Sequence, residues 1–285
     1  METAEQLKEV VREKYSAIAS QPKTQNASSC CGATACCGDD DLYNIMADEY
    51  SHLAGYNPDA DLGLGCGLPT EFAKIKEGDT VVDLGSGSGN DAFIVRKIVG
   101  AAGKVIGIDF TPAMIQKARD NAEKLSFNNI EFRQGDIEDM PLTSNKADVV
   151  VSNCVLNLVP NKHKVFSEIY RVLKPGGHFS ISDIVLEGFL PDKWKQIAEL
   201  YAGCVAGAIQ KNEYIDIIEE AGFKNITLQK EKEILLPDDI LANYLTTEEI
   251  NDYKAGATRI KSITVFGEKP AKDDRNCCEP GSGCC

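Results

Sequence analysis

From Thr80 onward the chain alternates two hydrophobic periods. Short apolar runs at Thr80 to Leu84, Lys104 to Ile108, Ile130 to Arg133, Ala147 to Ser152 and His178 to Ile184 are separated by amphipathic stretches. The latter cover Asp91 to Val99, Pro112 to Leu125 and Lys162 to Leu173. Runs that are apolar at nearly every position belong to strands buried on both faces, and strand–helix repetition is the pattern of a parallel sheet. The spacing therefore predicts an α/β fold, a doubly wound Rossmann-like sheet with helices on both faces. Punctuation agrees, with Thr111-Pro112 opening one helix and Lys174-Pro175-Gly176-Gly177 stopping another before a strand.

The flanks read differently. Leu7, Val10, Val11, Tyr15 and Ile18 form one helical stripe over residues 3 to 19, with Thr3 and Gln6 spaced as a capping box. Residues 21 to 41 are small and polar, with no period, and read as a linker. Beyond the sheet, Pro191 to Ala208 and Asn212 to Ala221 read as helices, and Ile226 to Lys230 and Ser262 to Glu268 as closing strands of a smaller C-terminal α+β portion. Residues 236 to 258 are polar and carry no assignable pattern, and 271 to 285 read as a disordered tail. The expected division is thus 1–41, 42–185, 186–270 and 271–285.

A ligand of such a sheet sits at the carboxyl ends of its strands. There the first strand runs into Gly85-Ser86-Gly87-Ser88-Gly89, a turn that serves dinucleotides and S-adenosylmethionine alike. The dinucleotide fingerprint wants its third glycine where Asn90 stands, so the turn reads G-x-G-x-G instead. Asp83 in the strand suits a cationic sulfonium cofactor better than a pyrophosphate. Asp109, twenty residues after Gly89, is placed to accept ribose hydroxyls, and Asp136-Ile137-Glu138 after the third strand to meet an adenine amino group. The plainer readings are a turn anchor for Asp83 and a helix cap for Asp109.

Charge and cysteine content narrow the partners. Thirty basic against 44 acidic side chains give a net charge of −14, which repels nucleic acid and anionic membrane. No apolar run approaches the roughly 18 residues of a membrane span, and no signal peptide is visible at Met1, so a cytoplasmic location is expected. Of eleven cysteines, eight form the pairs Cys30-Cys31, Cys36-Cys37, Cys277-Cys278 and Cys284-Cys285, and three stand alone at Cys66, Cys154 and Cys204. A core of this size needs no disulfide framework, and thiols in such number point to soft-metal or metalloid chemistry.

The run DLGSGSG, Asp109 and the LKPGG before the fifth strand resemble S-adenosylmethionine-dependent methyltransferases. Within that class, GLGCGLP at 63 to 69, SNCVLNLVP at 152 to 160 and AGCVAGA at 202 to 208 are similar to the arsenite methyltransferase family, over about residues 42 to 230. The resemblance implies a cofactor site on Asp83, Gly85, Gly87, Gly89, Asp109, Asp136 and Ile137. It also implies that the three lone cysteines hold As(III) as thiolates. It further implies a disulfide between Cys66 and an N-terminal cysteine, with Cys30, Cys31, Cys36 and Cys37 as candidates, reset by a thioredoxin-like or small-thiol reductant. Many relatives have an aromatic residue where Leu64 stands, so rate or site closure is expected to differ here. Asn153 has two readings, contact with the cofactor's methionyl part or a cap for the following segment.

The residues themselves support that site. Cys154 follows the fourth strand, Cys66 lies between two glycines, and Cys204 sits among Ala202, Gly203, Ala206 and Gly207, where backbones can approach closely. Three thiolates match the trigonal pyramid of As(III), whereas zinc takes four ligands and His52, His163 and His178 show no metal spacing to a cysteine. The arsenic lone pair carries no proton, so methyl transfer to it needs no catalytic base. The terminal pairs have two readings, arsenite capture or dispensable decoration. Two other functions remain open at this stage: a methyltransferase with an oxygen, nitrogen or carbon acceptor, and a non-catalytic metalloid-binding protein.

Overall fold

The computed structural model describes residues 4–21, 49–189, 207–234, 242, 245–256 and 258–271. Its centre is a seven-stranded sheet of order β3-β2-β1-β4-β5-β7-β6. The strands are β1 (Thr80–Leu84), β2 (Lys104–Asp109), β3 (Ile130–Gln134), β4 (Ala147–Asn153), β5 (Leu173–Glu187), β6 (Lys224–Ile234) and β7 (Arg259–Glu268). The first five run parallel, and β7 lies antiparallel between β5 and β6. Alternation along the central strands feeds two cores: Val81, Val105 and Val149 enter one face, Val82, Ile106 and Val150 the other. The doubly wound expectation is met.

Strands β1 to β4 and five helices fall within a residue or two of the sequence reading: α1 (Ala4–Ser20), α3 (Asn90–Val99), α4 (Pro112–Lys124), α5 (Lys162–Val172) and α6 (Lys211–Glu220); the one-turn α2 (Pro69–Phe72) before β1 had no counterpart there. Two differences have clear causes. β5 begins at Leu173, which pairs with Ala147, while the next pair is His178 with Val149, so Lys174 to Gly177 bulge past Asp148. Gly176 makes that excursion at φ +81°, a conformation that favours glycine. In the polar stretch left unassigned, α7 (Thr247–Ala255) forms behind a full capping box of Thr246 and Glu249.

β7 pairs along β5 from Arg259 to Glu268, so the C-terminal α+β portion extends the core sheet. Of the expected helix from Pro191 to Ala208, residues 191 to 206 lie outside the described residues, and Gly207 and Ala208 are not helical. The linker from residue 22, the tail from 272 and Thr3 of the expected capping box also lie outside them. Helix α1 packs Ile18 and Ala19 against Leu62, Leu64 and Met114, beside the carboxyl edge of the sheet. Among the described residues no helix is long and apolar enough to cross a membrane.

Candidate functional site

The strand order reverses between β1 and β4, and a cavity of about 430 Å³ opens there, a size that holds small organic ligands. Gly85, Gly87 and Gly89 turn the chain at φ +64°, +49° and +99°. A Cβ at Gly85 would lie 2.3 Å from Val155 Cγ2, so the loop after β1 presses directly on the loop after β4.

Three carboxyls gather at this edge, Asp83 and Asp109 buried and Asp91 half-buried. Burial, with the neighbouring charges of Asp91 and Asp109, holds the Asp83 carboxyl well above the usual carboxylate range. Burial pushes Asp91 up to about 6, against hydrogen bonds from Asn153 and Tyr50. Burial also raises Asp109, whose Oδ2 accepts the Gly87 N–H at 3.0 Å and Oδ1 the Thr111 N–H at 2.8 Å. Asp109 therefore does cap the next segment, and each oxygen keeps a lone pair for a ligand hydroxyl. Asp83 Oδ2, Ser86 Oγ and Asp91 Oδ1 are buried with no hydrogen-bond partner among the described residues. Such a set fits a cationic guest rich in hydrogen-bond donors and would repel a pyrophosphate.

The third acidic element is tied to the N-terminal helix. Lys8 Nζ donates to Asp136 Oδ2 at 2.7 Å and also bonds Glu138, while Lys8, Val11 and Tyr15 line the same cavity as the glycine turn. Ile137 is buried and lines the same cavity. Leu64 packs in one apolar cluster with Tyr15. No local pattern links Lys8 to Asp136, 128 residues away.

Cys66 and Cys154 are both buried. Cys154 has a left-handed backbone at φ +61°, a strained conformation for a residue with a Cβ, and its N–H donates to Ser182 O at 2.8 Å. The Cys66 loop is clamped from the end of β4. The Cys66 N–H donates to Asn153 Oδ1 at 3.0 Å, Asn153 Nδ2 donates to Gly67 O at 2.8 Å and Asp91 Oδ2 at 3.2 Å, and Ser262 Oγ donates to Cys66 O at 2.6 Å. Tyr50 joins this network through its hydroxyl, which donates to Gly67 O at 3.0 Å. At Gly67 a Cβ would lie 2.5 Å from Ser182 Oγ, so the flanking glycine is required for the approach. Asn153 is thus a clamp on the Cys66 loop, an employment neither sequence reading foresaw.

Asn153→Ala is expected to cost about 2 to 3 kcal/mol in urea unfolding, because it strands the buried Cys66 N–H, and to speed alkylation of Cys66. Unchanged stability and thiol reactivity would remove Asn153 from this role.

Cys204, Cys30, Cys31, Cys36, Cys37 and the four C-terminal cysteines lie outside the described residues. Among the described residues no cluster of three or more His, Cys, Asp or Glu could hold a metal ion. His163 faces Glu220 at the surface and His178 Nε2 contacts Ala73 O at 2.6 Å, so neither reaches the cysteines.

Sequence reasoning passed over a second buried group. Asp183 is fully buried and pushed up to about 7 by that burial, with Lys162 and the Tyr214 hydroxyl opposing the shift. Tyr214 OH donates to Asp183 Oδ2 at 3.3 Å, and burial, Asp183 and the charges of Cys66 and Cys154 hold its phenol well above its usual range. The available signal was a charged residue inside the apolar run Ile181 to Leu186.

Comparison with known proteins bears on what this arrangement serves. A family model described as a methyltransferase domain matches residues 75–222. An arsenite methyltransferase of Halobacterium salinarum is 37% identical over 95% of this chain and 68% of its own length. One from Aquipseudomonas alcaligenes is 32% identical over 93% of this chain and 75% of its own. Among solved structures, an arsenic(III) S-adenosylmethionine methyltransferase from Chlamydomonas reinhardtii matches with a TM-score of 0.60 and 35% identity, over 71% of this chain and 66% of that one.

Proposed function

The chain belongs to the arsenite methyltransferase family, and on that premise we propose that Cys66, Cys154 and Cys204 hold As(III) as a tris-thiolate against the cofactor cleft between β1 and β4. The contact of Gly85 with Val155 carries this reading, because it brings the glycine turn to within one residue of Cys154. When bound, S-adenosylmethionine supplies the electrophilic methyl group that the arsenic lone pair receives.

The residues of the chain bind and orient. Asp83 and Asp91 meet the cationic methionyl end, Asp109 the ribose, and Asp136 with Ile137 the adenine. Gly85, Gly87 and Gly89 allow the close approach. Asn153, Tyr50 and Ser262 fix the Cys66 loop, and the wall from α1 excludes water. The contribution is proximity and orientation, worth several kcal/mol of barrier without a proton transfer.

Methyl transfer leaves arsenic oxidised by two electrons, and two thiols closing one disulfide return them. Pairing of Cys66 with an N-terminal cysteine is supported by α1, whose Ile18 packs with Leu64, two residues from Cys66. Cys30 follows Gln21 by nine residues, a reach of up to about 30 Å. An external dithiol, protein or small molecule, then resets the pair. The division at residue 186 is functional in this reading, since the segment after it brings Cys204.

Purified protein with S-adenosylmethionine, arsenite and a dithiol is expected to yield methylated arsenicals detectable by chromatography and mass spectrometry. Cofactor consumption without arsenic would favour a conventional acceptor, and arsenite binding without cofactor consumption a sequestering protein.

A pH dependence follows from the buried carboxyls. A cationic ligand binds their ionised form, so affinity for S-adenosylmethionine is present above about pH 6 and falls as pH drops through the Asp91 value. Calorimetry is expected to find at least about tenfold weaker binding at about pH 5 than at about pH 7. A flat profile would mean that these carboxyls do not face the cation.

A further inference from the structure

Helix α1 meets the cofactor cavity along one face. Lys8, Val11 and Tyr15, spaced three and four residues apart, all line it. The helix is pinned at both ends. At its last turn Lys117 of α4 donates to Ala19 O at 3.0 Å and Gln21 O at 3.4 Å, beside the packed Ile18. At its first turns Lys8 Nζ meets Asp136 Oδ2 at 2.7 Å and also Glu138 Oε2. Apolar packing already holds the helix at the other end, so an ammonium turned toward the cavity calls for a further reason.

The two carboxylates are themselves fixed. Asp136 Oδ1 accepts the Glu138 N–H at 2.8 Å, and Glu138 Oε1 accepts the Asn161 N–H at 3.0 Å at the start of α5. The second oxygen of each turns to Lys8. An ammonium carries three N–H groups. Two meet these carboxylates, and among the described residues the third has no acceptor. The Lys8 side chain is 23% exposed and borders the cavity alongside Asp136 and Ile137, so an acceptor bound there comes within its reach.

We propose that Lys8 is a cofactor-binding residue: with Asp136 it reads the adenine edge, the carboxylate accepting from the amino group and the ammonium donating to a ring nitrogen next to it. The inference rests on the placement of the adenine at Asp136 and Ile137. An acceptor and a donor side by side on the protein match a donor and an acceptor side by side on the base. The same pair rejects hypoxanthine, whose oxygen would face the Asp136 carboxylate. Two ion pairs keep the ammonium from swinging into water, so little side-chain freedom is left to lose on binding.

The test is calorimetric titration of the full chain with S-adenosylhomocysteine, which binds without reacting, and with its 1-deaza, 7-deaza and hypoxanthine analogues. The native protein is expected to bind at least one of the deaza forms about tenfold or more weakly, the cost of a lost hydrogen bond to a charged group. Lys8→Met should weaken S-adenosylhomocysteine to a similar degree and erase that difference. Equal native affinity for the parent and both deaza forms overturns the proposal. So does a loss in Lys8→Met shared by every ligand with the deaza difference intact, which marks Lys8 as a latch for α1 alone. Should Lys8→Met not fold, Lys8→Arg keeps the ion pairs but redirects the donors, and an undiminished deaza difference there overturns the proposal. Equal native affinity for the adenine and hypoxanthine forms would instead sink the placement of the adenine at Asp136.

Discussion

Replacing Cys154 by serine is expected to lower arsenic-dependent consumption of S-adenosylmethionine by at least about a hundredfold while leaving cofactor binding intact. The two halves have different physical sources. A hydroxyl is a hard, weakly acidic donor, and As(III) discriminates strongly for thiolate, so removing one of three ligands removes the pyramid that orients the lone pair. The fold does not depend on the sulfur. The left-handed backbone at residue 154 already tolerates a Cβ, and the bond from its N–H to Ser182 O is made by the main chain. Serine has nearly the same shape, so Val155 and the glycine turn it touches stay in place. Cofactor affinity by calorimetry and methylated products by mass spectrometry separate these effects. Sustained dimethylation in this variant and in Cys204→Ser would end the proposed chemistry. Cys66→Ser is the less decisive change, because in the proposed cycle Cys66 serves both as arsenic ligand and as disulfide partner.

The parallel half of the sheet was legible because its central strands β1, β2 and β4 are buried on both faces, so their apolar runs stand out from the helices on either side. Even there the amphipathic period of α5 runs on to Leu173, which the structure gives to β5. Its pairing with Ala147 depends on a bulge opposite Asp148, and no local period encodes a bulge. Helix α7 shows the reverse case. Its capping box was present in the letters, but its polar residues gave no stripe to attract notice. The glycines and aspartates of the cofactor turn were readable because their spacing is local. Contacts such as Cys66 to Asn153, 87 residues apart, were not, since they exist only once the sheet has closed. Asp183 falls between these extremes. Its charge in an apolar run was visible, but its meaning depends on Tyr214 and Lys162, which reach it from two different helices.

The tightest coupling between the two halves of the site lies at Gly85, and Gly85→Ala is expected to be the most damaging single methyl group in the protein. Two costs combine. At φ +64° an L side chain is strained by about 1 to 2 kcal/mol. The new carbon would also sit 2.3 Å from Val155 Cγ2 and 2.6 Å from Cγ1, which forces one loop to move at a further cost of about 1 to 3 kcal/mol. Folding stability should fall by about 3 kcal/mol in total. The functional loss should be larger than stability alone explains, at least about a hundredfold in cofactor affinity, because displacement of Gly85 carries Gly87 away from Asp109. Adding Val155→Ala removes the clash but not the backbone strain. The double variant should therefore recover about half of the lost stability, and most of the cofactor affinity if the loop contact is the cause. Normal arsenite methylation in Gly85→Ala would separate the glycine turn from Cys154. No recovery in the double variant would assign the damage to backbone strain alone.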